Sequence, residues 1–113
     1  MRAALCRGLA QAQEWAARSG GAFDVTVGPV VQLWRRARRR RELPDPARLA
    51  EALARTGYRK LQLDRSARSV RLARPGMLLD LGGIAKGFAA DEAGAARARQ
   101  GIGAALVAAG GDI

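Results

Sequence analysis

Apolar positions recur at helical spacing through residues 3–19, where Leu5, Leu9, Ala12 and Ala16 share one stripe. Gly20-Gly21 ends the run, so the pattern predicts an amphipathic helix. An extended segment is expected at residues 23–27, closed by Gly28-Pro29, with a short apolar run at residues 30–34. Residues 35–41 hold six arginines in seven positions and read as a basic loop. Asp45-Pro46 then opens a second helix, with Asp45 as N-cap and Pro46 at the first helical position, and Gly57 stops it. Leu61 and Leu63, then Val70 and Leu72, alternate with polar residues across a turn at residues 64–67, which predicts a half-buried β-hairpin. Pro75-Gly76 has the chemistry of a type II turn.

The last third has a different rhythm. Residues 77–81 form a continuous apolar run, expected as a strand buried on both faces. Gly82-Gly83 leads into an alanine-rich helix over residues 84–100, with Gly101 as its cap. A final strand is expected at residues 104–108, before Gly110-Gly111-Asp112. Strand, helix, strand in that order favours a right-handed parallel crossover. The fold class is therefore α+β (mixed α/β), with a β-hairpin and a C-terminal βαβ unit around a mixed sheet. No repeat, low-complexity linker or internal boundary is visible, so residues 1–113 read as one domain.

Composition narrows the chemistry. The 113 residues are 49% hydrophobic but only 4% aromatic, which predicts a core of small side chains and modest intrinsic stability. A lone cysteine, Cys6, excludes an internal disulfide, and its place on a helix favours a core role over a nucleophilic one. The chain has no histidine, which removes the commonest acid/base group and the commonest metal ligand. No apolar run reaches the roughly 20 residues of a membrane helix, and the apolar stretch before Cys6 is too short for a targeting segment. The net charge of +10 is carried almost wholly by arginine. The 35–41 run suits phosphate neutralisation, but only Trp34 flanks it as an aromatic, and a solvated loop is the simpler reading.

Candidate chemistry gathers at three places. The Gly82-Gly83 turn brings backbone N–H groups and a helix N-terminus together, a favourable seat for an anion; close packing of helix on sheet would also account for the glycines. Asp80 and Asp112 are expected at the ends of two parallel strands, where they would orient a ligand, assist a divalent cation or cap their loops. Asp24 and Thr26 stand two apart on an extended segment, positioned either to hydrogen-bond a ligand or to cap the turn at Gly28-Pro29.

Three motifs in order complete the reading: Gly21-Ala22-Phe23-Asp24-Val25-Thr26-Val27-Gly28-Pro29 with Leu33-Trp34, the block from Asp80 to Asp91, and Ala105-Leu106-Val107-Ala108-Ala109-Gly110-Gly111-Asp112-Ile113. Together they closely resemble the ApbE family of FAD:protein FMN transferases across essentially the whole chain. The resemblance implies an Mg²⁺-dependent enzyme that moves FMN from FAD onto a threonine or serine hydroxyl of a target flavoprotein, releasing AMP. It implies FAD contacts at Ala22, Phe23 and Asp24, at Gly82 and at Phe88, with the Ala85 carbonyl as one magnesium ligand. It also implies that an N-terminal part and a C-terminal half complete the family domain, the latter with a flavin-contacting histidine and magnesium-binding aspartate and threonine. The chain is accordingly expected to be an internal fragment or a truncated member of a family often exported or membrane-anchored. A catalytically inactive remnant and a basic nucleic-acid-binding module are the alternatives, and no nucleic-acid partner is expected.

Overall fold

The computed structural model describes residues 1–111; Asp112 and Ile113 lie outside the described residues, and the expectation placed on Asp112 lies there with them. Packing divides the chain into one unit spanning Met1–Asp80 and a second that begins at Leu81. Each is taken by itself.

In the first unit, α1 (Ala3–Arg18) forms where its apolar spacing predicts. Its buried stripe is Cys6, Leu9, Ala12 and Ala16. Cys6 is thus a core residue. Leu5 corrects the expected stripe, for it is 44% exposed. The elements that α1 meets, the hairpin and two short 3-10 turns, cover the helix from Cys6 onward and leave its first turn open. Burying Leu9 fully contributes about 2 kcal/mol, and the alanines allow close approach rather than bulk.

The segment expected to be extended at residues 23–27 instead turns into a 3-10 helix at Val25–Val27. Asp24 causes the departure: its carboxylate accepts the Thr26 N–H at 2.8 Å and caps the turn, overriding the strand preference of Val-Thr-Val. The chain runs directly on into α2 (Gly28–Arg40), with Pro29 in its first turn. The basic loop expected at residues 35–41 is therefore helical through Arg40. Arginine is a good helix former, and Pro29, Leu33 and Ala37 keep an i, i+4 stripe that turns one face inward. Arg41 ends α2 in the left-handed conformation, φ 53°.

Helix α3 (Pro46–Ala54) starts as predicted, with the Asp45 carboxylate accepting the Ala47 N–H at 3.0 Å. It packs on α2, and Ala37 and Ala52 are the buried small residues of the two helices. The hairpin also forms as predicted, β1 (Leu61–Asp64) against β2 (Ser69–Leu72), antiparallel with Leu61 opposite Leu72 and Leu63 opposite Val70. Gly76 takes φ +78°, as the third residue of a type II turn requires.

The strand expected at residues 77–81 does not form, and of residues 77–80 only Met77 is buried while Leu78 is 40% exposed. Their hydrogen bonds go elsewhere. The Gly28 N–H donates to the Leu78 carbonyl at 3.2 Å, and the Asp80 N–H donates to the Val25 carbonyl at 2.8 Å. A 3-10 turn presents too few aligned groups to make that pairing a sheet. Gly28 is needed for the approach: a Cβ there would stand 2.5 Å from the Leu78 oxygen.

In the second unit, α4 (Ala85–Arg99) follows a turn at residues 82–84 and ends at Gly101, φ +85°, whose N–H donates to the Ala98 carbonyl. The strand expected at residues 104–108 does not form. Among the described residues the sheet is the two-stranded hairpin alone. The α+β class stands, with four helices and one antiparallel pair. Among the described residues the C-terminal βαβ unit and the mixed sheet do not, because neither apolar segment, 77–81 or 104–108, pairs with a parallel strand. No described helix is long and apolar enough to cross a membrane.

Candidate functional site

Ala22, Phe23 and Asp24 sit on the short connection between α1 and the 3-10 turn, and several hydrogen bonds fix it. Ser19 Oγ donates to the Ala16 carbonyl and accepts the Phe23 N–H at 2.9 Å, tying the connection to the end of α1. Asp24 is occupied at both carboxylate oxygens. Oδ1 accepts from the Thr26 N–H at 2.8 Å and from Thr26 Oγ1 at 2.6 Å, and Oδ2 accepts the Tyr58 N–H at 2.9 Å. Thr26 is fully buried, and its hydroxyl oxygen accepts the Gly57 N–H at 2.7 Å. Of the two roles open to Asp24 and Thr26, capping and clamping are the ones their side chains perform.

Gln13, which the sequence did not single out, holds the same segment from the other side. Its Nε2 donates to the carbonyls of Tyr58 and Leu61 at 2.9 and 3.3 Å. Residues 57–61 are therefore gripped at their N–H groups by Asp24 and Thr26, and at their carbonyls by α1. The Tyr58 ring closes over Gly21, where φ is +87° and a Cβ would lie 3.4 Å from the ring. Ala22 is exposed and Phe23 half-buried, so this rigid connection presents its backbone and the Phe23 ring rather than the Asp24 carboxylate.

Gly82, Ala85 and Phe88 belong to the second unit. The Leu81 carbonyl accepts both the Ile84 N–H at 3.0 Å and the Ala85 N–H at 2.9 Å, closing the turn that opens α4. Two of the donors expected for an anion are thus used locally. The Gly83 N–H makes no hydrogen bond among the described residues, and it stands at the N-terminal end of a 15-residue helix. That end carries partial positive charge. Gly82 and Ala85 are exposed and Phe88 is half-buried. Lys86 Nζ donates to the Gly110 carbonyl at 3.2 Å, linking the first turn of α4 to the glycine pair of the third motif.

Asp80 lies in the first unit, where Arg35 approaches it at 3.7 Å. The remaining arginines of α2 form something the sequence did not foretell. Arg35, Arg36 and Arg39 join Arg48 and Arg55 around a groove of about 560 Å³, with Pro29, Leu33 and Ala52 also lining it. Spacing alone placed the first three together; the α2–α3 packing brings the other two.

A magnesium ion finds little here. The described residues contain no group of three His, Cys, Asp or Glu side chains able to hold a metal, and the expected ligand at Ala85 is a single helix carbonyl. Mg²⁺ takes six oxygens in near-octahedral geometry and is normally anchored by a carboxylate. The described residues do not by themselves fit it.

Known proteins supply the context. A family model described as the ApbE family matches residues 1–113. An FAD:protein FMN transferase of Treponema pallidum (strain Nichols) is 41% identical over 110 residues, covering 93% of this chain and 30% of the relative. One of Klebsiella pneumoniae (strain 342) is 40% identical over 92 residues, covering 81% and 29% respectively. The solved structure of a variant of the flavin transferase ApbE from Vibrio cholerae superposes with a TM-score of 0.81 at 31% identity, covering 93% of this chain and 34% of that one. The ApbE protein from Thermotoga maritima gives 0.66 at 37% identity, over 85% and 30%. The chain thus spans about 30% of the length of the curated relatives it matches. With a whole-chain family match and relatives of one name, the chain belongs to the ApbE family.

Proposed function

We propose that this chain is part of an FAD:protein FMN transferase, and that residues 1–113 belong to one domain of that enzyme. The observation that carries the reading is the match to the Treponema pallidum transferase at 41% identity, which runs through almost all of the chain. In the reaction, the oxygen of a threonine or serine hydroxyl on a target flavoprotein attacks the phosphorus of the FMN half of FAD. A P–O bond to that oxygen forms, the P–O bond to the AMP phosphate breaks, AMP departs and the hydroxyl proton passes to solvent. Such transfer depends mainly on positioning and on stabilising charge.

The chain's own residues suit the positioning. The Gly83 N–H and the α4 N-terminus attract one phosphate of the FAD pyrophosphate, while Gly82 leaves room for its approach. In the second unit Phe88 on α4 supplies apolar surface beside that phosphate; the family resemblance separately assigns flavin contacts to Ala22, Phe23 and Asp24 of the first unit, which offer the Phe23 ring and backbone groups. The Ala85 carbonyl would offer Mg²⁺ a single oxygen, too few to hold the ion, so no step is assigned to a metal.

Two readouts test this. FAD titrated into the chain is followed by flavin fluorescence anisotropy, and transfer is followed by the mass of a threonine-bearing flavoprotein target incubated with enzyme, FAD and Mg²⁺. The reading expects a covalent gain of one FMN with equimolar AMP from the full-length enzyme. It also expects weakened FAD binding when Gly83→Pro removes the N–H. Transfer without AMP, or no FAD binding by the full-length enzyme, overturns it.

A further inference from the structure

Helices α2 and α3 face each other across a groove whose charge the flavin chemistry does not use. Its walls carry Arg35, Arg36 and Arg39 from α2 and Arg48 and Arg55 from the α3 side, against one carboxylate, Glu51. Among the described residues Arg36, Arg39 and Arg48 have no ion-pair or hydrogen-bond partner, while Arg35 has only the long contact to Asp80. Arg55 is partly engaged, donating to the Gly76 carbonyl at 3.3 Å. Gathering five guanidinium groups around one concave surface costs repulsion that solvent only partly screens, and an anionic occupant relieves it.

We propose that this groove docks an acidic peptide segment of a protein partner, with apolar residues interleaved among its carboxylates. Charge complementarity sets the sign of the occupant, and the lining sets its class. Duplex nucleic acid is too wide for a cleft between two packed helices. Single-stranded nucleic acid is held on aromatic stacking platforms, and no aromatic side chain lines this groove. A membrane surface needs a flat or protruding face, whereas Pro29, Leu33 and Ala52 lie in a concavity. Leu33, the one of these with accessible surface, accepts an apolar side chain of an extended peptide, while Pro29 and Ala52 are buried beneath it, and the guanidinium forks pair with carboxylates. Glu51 breaks the positive surface once, which suits a peptide better than a uniformly charged polyphosphate. The proposal stands apart from the transferase reading, because no residue of the groove is assigned to flavin.

The test is calorimetric titration of the full chain with a synthetic peptide of alternating glutamate and leucine. The controls are the glutamine analogue of that peptide, single-stranded oligonucleotide, polyphosphate and vesicles containing anionic lipid. Binding of the glutamate peptide alone is expected, weakening about tenfold from low to physiological salt. The double variant Arg39→Glu/Arg48→Glu should lose at least tenfold in affinity, Arg39→Gln/Arg48→Gln a smaller factor, and Arg65→Glu on the hairpin nothing. Far-UV circular dichroism checks that each variant is folded, and the glutamine pair serves if the glutamate pair is not. The idea is overturned if the glutamate peptide fails to bind at low salt, or binds with unchanged affinity to both double variants. Tighter binding of oligonucleotide, polyphosphate or vesicles through the same arginines would equally reject a peptide occupant.

Discussion

Replacing Thr26 by valine conserves shape and removes one hydroxyl, which makes it a clean probe of the clamp that holds the first unit. The hydroxyl donates to Asp24 Oδ1 at 2.6 Å and accepts the Gly57 N–H at 2.7 Å, in a residue with no solvent exposure. Valine leaves the part-buried Gly57 N–H without its partner, a loss of about 1–3 kcal/mol. The Asp24 carboxylate keeps the Thr26 N–H and the Tyr58 N–H, so its own loss is a single charge-assisted hydrogen bond, about 1.5–3 kcal/mol. Thr26→Val should therefore cost about 2.5–6 kcal/mol, a large part of the roughly 5–15 kcal/mol that holds a small protein folded. Urea denaturation followed by tryptophan fluorescence reads the correct unit, since Trp15 and Trp34 both lie within it. Asp24→Ala supplies the second leg of a double-mutant cycle, because it removes both acceptor oxygens. The two losses should be strongly non-additive, because both changes break the 2.6 Å bond. A midpoint for Thr26→Val within about 0.5 kcal/mol of the parent, the range of ordinary surface changes, would refute the clamp.

Three further outcomes are expected. Gly28→Ala should destabilise by about 2–3 kcal/mol in the same denaturation assay, because its Cβ would meet the Leu78 oxygen at 2.5 Å and force the backbones apart. Arg41→Gly should raise the midpoint by about 1 kcal/mol, since Arg41 ends α2 at φ 53° and only glycine adopts that conformation without steric cost. The Asp64 carboxyl, held below its usual range first by the Ala67 N–H and then by the Ser66 hydroxyl, should titrate by NMR below a model aspartate. Ser66→Ala should move that titration back up. With the folded value depressed, the turn's stabilising contribution is present above the unfolded aspartate pKa and disappears as pH falls through the folded one.

The elements legible in the sequence were those decided within a few residues. Asp45-Pro46, the 61–64 and 69–72 alternation, and the 3.6-residue spacing of α1 each carry a local signal, and each forms as expected. The arginines of α2 carry no helix signal of their own, because such charge density is equally that of a loop. The Pro29, Leu33, Ala37 stripe beneath them was the signal that could have placed them on a helix. At Val25–Val27 a strand preference lost to one carboxylate two residues from its target N–H. The two missing strands have another cause. An extended apolar segment becomes a strand only when a neighbour supplies the ladder, and strand pairing is a property of two segments that one segment's pattern does not contain.

The same distinction between local and assembled features divides the candidate site. The Gly82-Gly83 turn is visible because a turn and a helix start are local, and among the described residues the Gly83 N–H makes no hydrogen bond. Asp24 was visible as a carboxylate, but its task was not. Only the fold shows that Tyr58, 34 residues away, takes the second oxygen, and that the motif's most chemical-looking side chain is consumed in holding the chain. A carboxylate whose two oxygens already accept three donors is a poor further ligand and a good anchor for the connection it holds. Conversion to alanine should therefore lower stability before it lowers flavin affinity per folded molecule. A variant that remains fully folded yet loses flavin binding would return Asp24 to the site itself.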